Sequence, residues 1–255
     1  MWWVAMAVAA DLCVPVQGAE GACRAACDGG EAAACATLGY LLETGLGVPQ
    51  SPRSARPTYG EEPLSFDPDM ERDLKGATVA YERSCALGNA HGCLSAGVLW
   101  RLEGPDQNLP RALERFGQAF RGWEKACNEG SGHECELLGA AWEGNWDHPK
   151  DEVRACEHFG RACTLGDGRG CWLDGVCDEG GLGGRTSDLD AAERHYLTSC
   201  DTLGAVVGCL ALRKWYAPDG RKPDSSLYER YIRRTCELDS VFCRDPEHGW
   251  WTEPD

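Results

Sequence analysis

The chain is short of positive charge. It carries 25 Lys and Arg against 41 Asp and Glu in 255 residues, a net charge of −16, and its pI is near 4.8. It therefore lacks the cationic footprint that neutralises phosphates, which argues against nucleic acid and anionic membrane surfaces as partners. It has no run of eighteen apolar residues, so no segment reads as a membrane-spanning helix. It has no Cys-x2-Cys, the usual spacing of zinc ligands, and no Cys-x2-Cys-His for haem attachment. The remaining composition, 43% hydrophobic and 26% charged, is that of a globular protein rather than a disordered one.

Cysteine is abundant, with 16 copies. A chain of this size with so many cysteines implies either a disulfide framework in an oxidising compartment or a set of metal sites. The first eighteen residues read as an export signal: Trp2 to Ala10 is apolar, and Val16-Gln17-Gly18 offers small residues before a cut. The alternative is an ordinary first helix, because no Lys or Arg precedes the apolar run and Asp11 interrupts it.

The cysteines expose an internal repeat. They sort into the pairs Cys27/Cys35, Cys85/Cys93, Cys127/Cys135, Cys163/Cys171, Cys200/Cys209 and Cys236/Cys243, whose first members recur at intervals of 58, 42, 36, 37 and 36 residues. A unit near 36 residues therefore repeats, with an insertion after the first copy. Three residues past the first cysteine stands Gly30, Gly88, Gly130 or Gly166; in copy five Gly204 comes one residue later, matching one extra residue between its cysteines. Four residues before the first cysteine come Tyr81, Trp123, Phe159, Tyr196 and Ile232, and eight before it Ala77, Ala119, Ala155 and Ala192. The residue just before it is always small. Offsets of four and eight mark one face of a helix, A, that stops at the glycine. Four past the second cysteine comes Gly39, Gly97, Gly139 or Gly175, with Arg213 as the exception, on a second helix, B. Three past it come Leu38, Ala96, Leu138 and Leu212, with Asp174 as the exception.

Each unit thus reads as an αα-hairpin, and stacked hairpins bury their apolar stripes together. The predicted fold is all-α, an α-solenoid of about six repeats cross-linked by disulfides. Repeats fall at 19–48, 71–104, 105–144, 145–181 and 182–220, with a proline-rich insertion at 49–70 and a partial repeat and cap at 221–255. Gly costs about 1 kcal/mol against Ala within a helix, so the mid-helix glycines of B imply close approach of a neighbouring helix. Trp250 and Trp251 read as the cover of the exposed end; the other reading is an aromatic binding surface.

Two cysteines facing each other across a short turn match disulfide geometry better than metal ligation. In an antiparallel hairpin, contacting positions keep a nearly constant index sum, which also pairs Cys156 with Cys177 across copy four. Cys23 occupies the aromatic slot of copy one: it pairs with Cys13 if Cys13 is retained, and is otherwise a small core residue.

The combination of Ala, an aromatic four residues on, then Ala/Ser-Cys-x2-Gly-x4-Cys-x2-Leu-Gly resembles the Sel-one-like repeat, a relative of the tetratricopeptide repeat. Ala119, Trp123, Ala126-Cys127, Gly130, Cys135 and Leu138-Gly139 are the clearest match. The paired cysteines narrow the resemblance to a bacterial cysteine-rich subgroup, exported to the periplasm or beyond and often labelled β-lactamase-like. It covers nearly everything from Ala22 to Cys243. It implies a TPR-like superhelix whose concave surface, lined by A helices, binds a protein or peptide, with a β-lactam or peptidoglycan fragment as a further ligand class. A mitochondrial respiratory assembly factor is also similar, and that branch implies haem handling.

The residues give little support to catalysis. A serine β-lactamase needs Ser-x2-Lys, yet Arg72, Gly122, Asp147, Ala211 and Asp219 stand three before the lysines. His91, His133, His148, His158, His195 and His248 are scattered singly, with His133-Glu134 and His158 the best lone candidates. No catalytic, metal or cofactor residues are assigned. Arg83, Lys125, Arg161 and Arg234 recur two before the first cysteine, a ladder suited to a carboxylate-bearing or peptide ligand. The competing account is that cations favour the last turn of a helix. Together these features predict an exported, disulfide-stapled binding scaffold. The alternatives are a β-lactam-binding or weakly hydrolysing enzyme and a haem-handling assembly factor.

Overall fold

The computed structural model describes residues 13–16, 18–46, 72–102 and 106–239. Among them the regular elements are helices: α1 Glu20–Asp28, α2 Ala32–Thr44, α3 Leu74–Ala86, α4 Ala90–Arg101, α5 Leu109–Asn128, α6 Gly132–Trp142, α7 Glu152–Thr164, α8 Gly168–Gly180, α9 Leu189–Leu197, α10 Val206–Tyr216 and α11 Ser225–Leu238. Odd numbers are the A helices and even numbers the B helices, so the fold is the all-α hairpin solenoid expected. None of the described helices is long and apolar enough to cross a membrane. The chain divides into two compact units, Met1–Gly122 and Trp123–Asp255, with the boundary inside α5. The insertion at 49–70, Cys243 and the Trp250-Trp251 pair lie outside the described residues, as does most of the export-signal segment.

The local chemistry explains the hairpins. Gly30, Gly88, Gly130, Gly166 and Gly204 take φ between 66° and 101°, a conformation open to glycine at no steric cost, and end each A helix. Asp or Asn side chains then cap the next helix: Asp73 on Gly76, Asn89 on Gly92, Asp151 on Arg154, Asp167 on Gly170 and Asp224 on Leu227. Part of the acidic excess is therefore capping chemistry, placed where helix dipoles favour it. Within a hairpin the helices touch closely. A Cβ on Gly92, Gly170 or Gly208 would meet Ser84, Ala162 or Ser199, which is why the residue before the first cysteine is small.

Between copies the mid-helix glycines receive aromatic rings. A Cβ on Gly39 would lie 2.5 Å from the Tyr81 ring, one on Gly97 2.5 Å from Phe116 and one on Gly175 2.6 Å from Tyr196; Phe159 fills the same place beside Gly139. One turn past Gly39, Gly97 and Gly175, a B-helix side chain meets the ring. Glu43 accepts from the Tyr81 hydroxyl at 2.7 Å and Glu179 from Tyr196 at 2.8 Å. Where the ring is Phe116, the corresponding residue is Arg101, whose guanidinium stands 5.8 Å from the ring centroid.

Three copies depart from the repeat, each for a legible reason. In copy three α5 has 20 residues against 13 in α3 and α7, about two turns more. The ring beside Gly97 is accordingly Phe116, and Trp123, the residue in the expected slot, instead packs on Trp146 at 5.4 Å. In copy five the extra residue is absorbed by a single π turn at Thr198–Thr202. In copy six, packed on a copy-five B helix where Arg213 replaces the glycine, Tyr231 rather than Ile232 fills the buried aromatic slot, stacked on Tyr216 at 5.7 Å.

The core is thin, built largely from Ala and Cys with about one large ring per joint. Disulfides supplement it. The structure joins Cys13–Cys23, Cys27–Cys35, Cys85–Cys93, Cys127–Cys135, Cys156–Cys177, Cys163–Cys171 and Cys200–Cys209, with Cα separations of 4.2 to 6.0 Å. Cys236 is also disulfide-bonded, and no described cysteine is free. Closing an eight-residue loop stabilises by somewhat less than about 3 kcal/mol each in the chain-entropy picture.

Candidate functional site

The first unit carries a groove of about 580 Å³ among α3, the end of α4 and the start of α5. Leu74, Thr78 and Val79 on α3 face Leu99, Trp100 and Leu102 across it. Val79 is 69% exposed, Leu102 48% and Leu74 41%, unusual figures for large aliphatic side chains gathered in one place. The polar centre is already satisfied. Glu82 accepts from Trp100 Nε1 at 2.5 Å, Arg111 Nε at 3.0 Å and Arg115 Nε at 2.9 Å. Burial alone would raise this carboxyl's pKa; the three donors outweigh it and hold the pKa below the usual value. The Arg111 guanidinium lies 4.4 Å from the Trp100 ring centroid, so the two form one rigid wall. What the groove offers a partner is apolar area on a fixed frame.

The four cations of the basic ladder each have a local partner. Arg83 donates to the Asp28 carboxylate at 2.6 Å and to its carbonyl at 3.1 Å. Arg161 donates to Asn128 Oδ1 and to the Cys127 carbonyl, both at 2.9 Å. Each arginine thus caps the C-terminal end of the preceding A helix, where carbonyls lack intrahelical donors. Lys125 lies 3.9 Å from Glu129, and Arg234 3.1 Å from Glu237, within their own helices or just past them. His133 is exposed on α6. His158 is half-buried on α7, where burial and then Arg161 lower its pKa.

A charged cluster in the second unit explains the Asp174 exception. Asp174 and Asp178, one turn apart on α8, are both buried. Arg185 Nη1 donates to each at 2.7 Å and its Nη2 to the Cys156 carbonyl at 3.0 Å, while His195 lies 3.5 Å from Asp174 and 3.0 Å from Asp178. Burial works against the Arg185 charge, but the two carboxylates more than compensate and raise its pKa. The Asp-x3-Asp spacing, which places both carboxylates on one helix face, was the available sequence signal. Sγ of Cys163 joins Asp174 and His195 in a group whose potential ligand atoms lie within 4.8 Å, but that sulfur is bonded to Cys171. The arrangement is a structural ion-pair network tying the 181–188 loop to α8 and α9.

The molecule is therefore a disulfide-linked helical-hairpin repeat protein with an apolar groove in its first unit. No family model matches the sequence, and comparison with curated proteins finds no match. Solved structures do share the fold. A Sel1 repeat protein from Oxalobacter formigenes is similar at 19% identity and a TM-score of 0.57, over 86% of this chain and 75% of that one. A protective antigen of uropathogenic Escherichia coli strains with an SLR fold is similar at 18% identity and 0.55, over 86% of this chain. The match spans 41% of the antigen's length. An immunity protein from Pseudomonas aeruginosa is similar at 15% identity and 0.52, over 88% and 75% of the two chains. These likenesses show the Sel1-like repeat fold.

Proposed function

We propose that this chain is an exported scaffold that binds a protein or peptide through the α3–α5 groove and carries out no hydrolysis. The observation behind this is the exposed aliphatic set Leu74, Val79 and Leu102 around Glu82, a carboxylate already engaged by Trp100, Arg111 and Arg115. Such a surface gains by covering apolar area, roughly 1.5–3 kcal/mol per side chain fully buried, and Trp100 and Arg111 are of the types that anchor interfaces. Seven disulfides fit an oxidising, non-cytoplasmic compartment. The repeat fold, in which each hairpin contacts its neighbours, is a common frame for extended binding surfaces.

The test is a photo-crosslinking residue at position 79 of the full oxidised chain in its native envelope, with mass spectrometry of the adducts. The proposal expects a discrete adduct that disappears on the Leu102→Asp background. Adducts indifferent to Leu102→Asp, or none beyond those from a crosslinker at exposed Arg121, would overturn it.

A further inference from the structure

Where copies four and five meet, Cys163 on α7, Asp174 on α8 and His195 on α9 converge, with one donor atom of each within 4.8 Å of the other two. While the bridge to Cys171 is closed, the sulfur is no ligand and the group serves the ion-pair network. Three observations set this bridge apart. Copy four is stapled twice, by Cys156–Cys177 as well as Cys163–Cys171, so it keeps one bridge when the other opens. In the Cys27–Cys35, Cys85–Cys93, Cys127–Cys135 and Cys200–Cys209 bridges both cysteines are buried, whereas Cys163 is half-buried, so a soluble thiol meets its sulfur first. His195 Nδ1 is buried and makes no hydrogen bond, although Asp178 Oδ2 stands 3.0 Å away. Bonding capacity of the imidazole is thus left unused beside the sulfur.

Reduction turns this sulfur into a thiolate beside two carboxylates. With the imidazole neutral, Asp174, Asp178 and the thiolate outweigh Arg185 by two negative charges, which a dication neutralises. Thiolate, imidazole and carboxylate together form a donor set for Zn²⁺, with the fourth tetrahedral position left to water. Reduction and metal binding are therefore coupled, because the ion binds the open bridge and not the closed one. We propose that Cys163, Asp174 and His195 form a redox-gated zinc site, opened when a dithiol reduces Cys163–Cys171. The first sulfur of the dithiol bonds to Cys163 Sγ as the S–S bond breaks, and Cys171 leaves and takes up a proton. The second sulfur closes the reductant's own disulfide and releases Cys163 as a thiolate. Two electrons enter the chain, and the other proton of the dithiol goes to solvent.

The test is Co²⁺, a spectroscopic stand-in for zinc, titrated into the full chain carrying Cys171→Ser with its other bridges oxidised. A thiolate-to-cobalt charge-transfer band is expected to saturate at one ion per chain and to vanish when Zn²⁺ is added. Oxidised wild type is expected to show no band, and so is Cys163→Ser, which frees the buried Cys171 instead. His195→Gln on the Cys171→Ser background is expected to weaken binding at least about tenfold. No band with Cys171→Ser, an equal band with Cys163→Ser, or binding indifferent to His195→Gln would overturn the proposal. If Cys171→Ser fails to fold, wild type treated with one equivalent of a phosphine reductant decides. Peptide mapping is then expected to find that Zn²⁺ concentrates the opened bridges on Cys163–Cys171; a distribution unchanged by Zn²⁺ would overturn the site. None of these measurements involves the α3–α5 groove, so failure here leaves that reading standing.

Discussion

The Tyr81 ring rests against the backbone of Gly39, so close that a Cβ there would lie 2.5 Å from it, and the Tyr81 hydroxyl donates to Glu43 at 2.7 Å. A glycine hole, a ring and a carboxylate one turn on together make the joint between copies one and two. The same set recurs at Gly175, Tyr196 and Glu179.

Gly175→Ala should destabilise the chain by roughly 1–3 kcal/mol, because overpacking outweighs the gain in helix propensity. Gly21→Ala, at a helical site with nothing within 4 Å of its Cβ, should stabilise by up to about 1 kcal/mol. Urea unfolding of the two variants checks the opposite signs.

Alkaline stability should depend on the clasped phenols. Burial, then the hydrogen bond to Asp201, pushes the Tyr231 hydroxyl up to about 12, and Tyr81, Tyr196 and Tyr216 are raised in the same direction. A raised folded-state pKa contributes stability that is complete below the unfolded value of about 10 and is lost as pH climbs through the folded value. Urea midpoints should therefore fall between about pH 10 and 12, and less steeply in Tyr231→Phe. Equal slopes would contradict the clasp.

The Cys13–Cys23 bridge bears on export. The two Cα atoms are 4.5 Å apart, and Cys23 is fully buried in the core of copy one. An exported chain that keeps this bridge must keep Cys13, so it cannot be cut after Gly18. N-terminal sequencing of the mature protein should begin before Cys13; a start at Ala19 would contradict the pairing.

Much of the fold was readable because cysteine acts as a ruler. Its spacing set the period, the turn glycines followed it, and the one-residue shift at Gly204 marked the π turn of copy five. What escaped depends on three dimensions. The interval before Cys127 revealed extra residues but not that they lengthen α5, so Trp123 stood in a slot that Phe116 fills. Arg83 and Arg161 matched a ladder by period, while the carbonyls they reach, at the ends of neighbouring A helices, lie 55 and 34 positions away. The groove around Val79 has no linear signature, because its walls come from three helices. Asp174 was visible only as a broken pattern until Arg185 and His195 were seen beside it.

Cross-links supplement a thin core rich in alanine and cysteine and hold the short hairpins in place. Far-ultraviolet circular dichroism in excess dithiothreitol at 37 °C tests it most directly. The helical signal should be lost cooperatively as the disulfides open; a reduced chain that keeps the full signal would show that the packed core suffices without them.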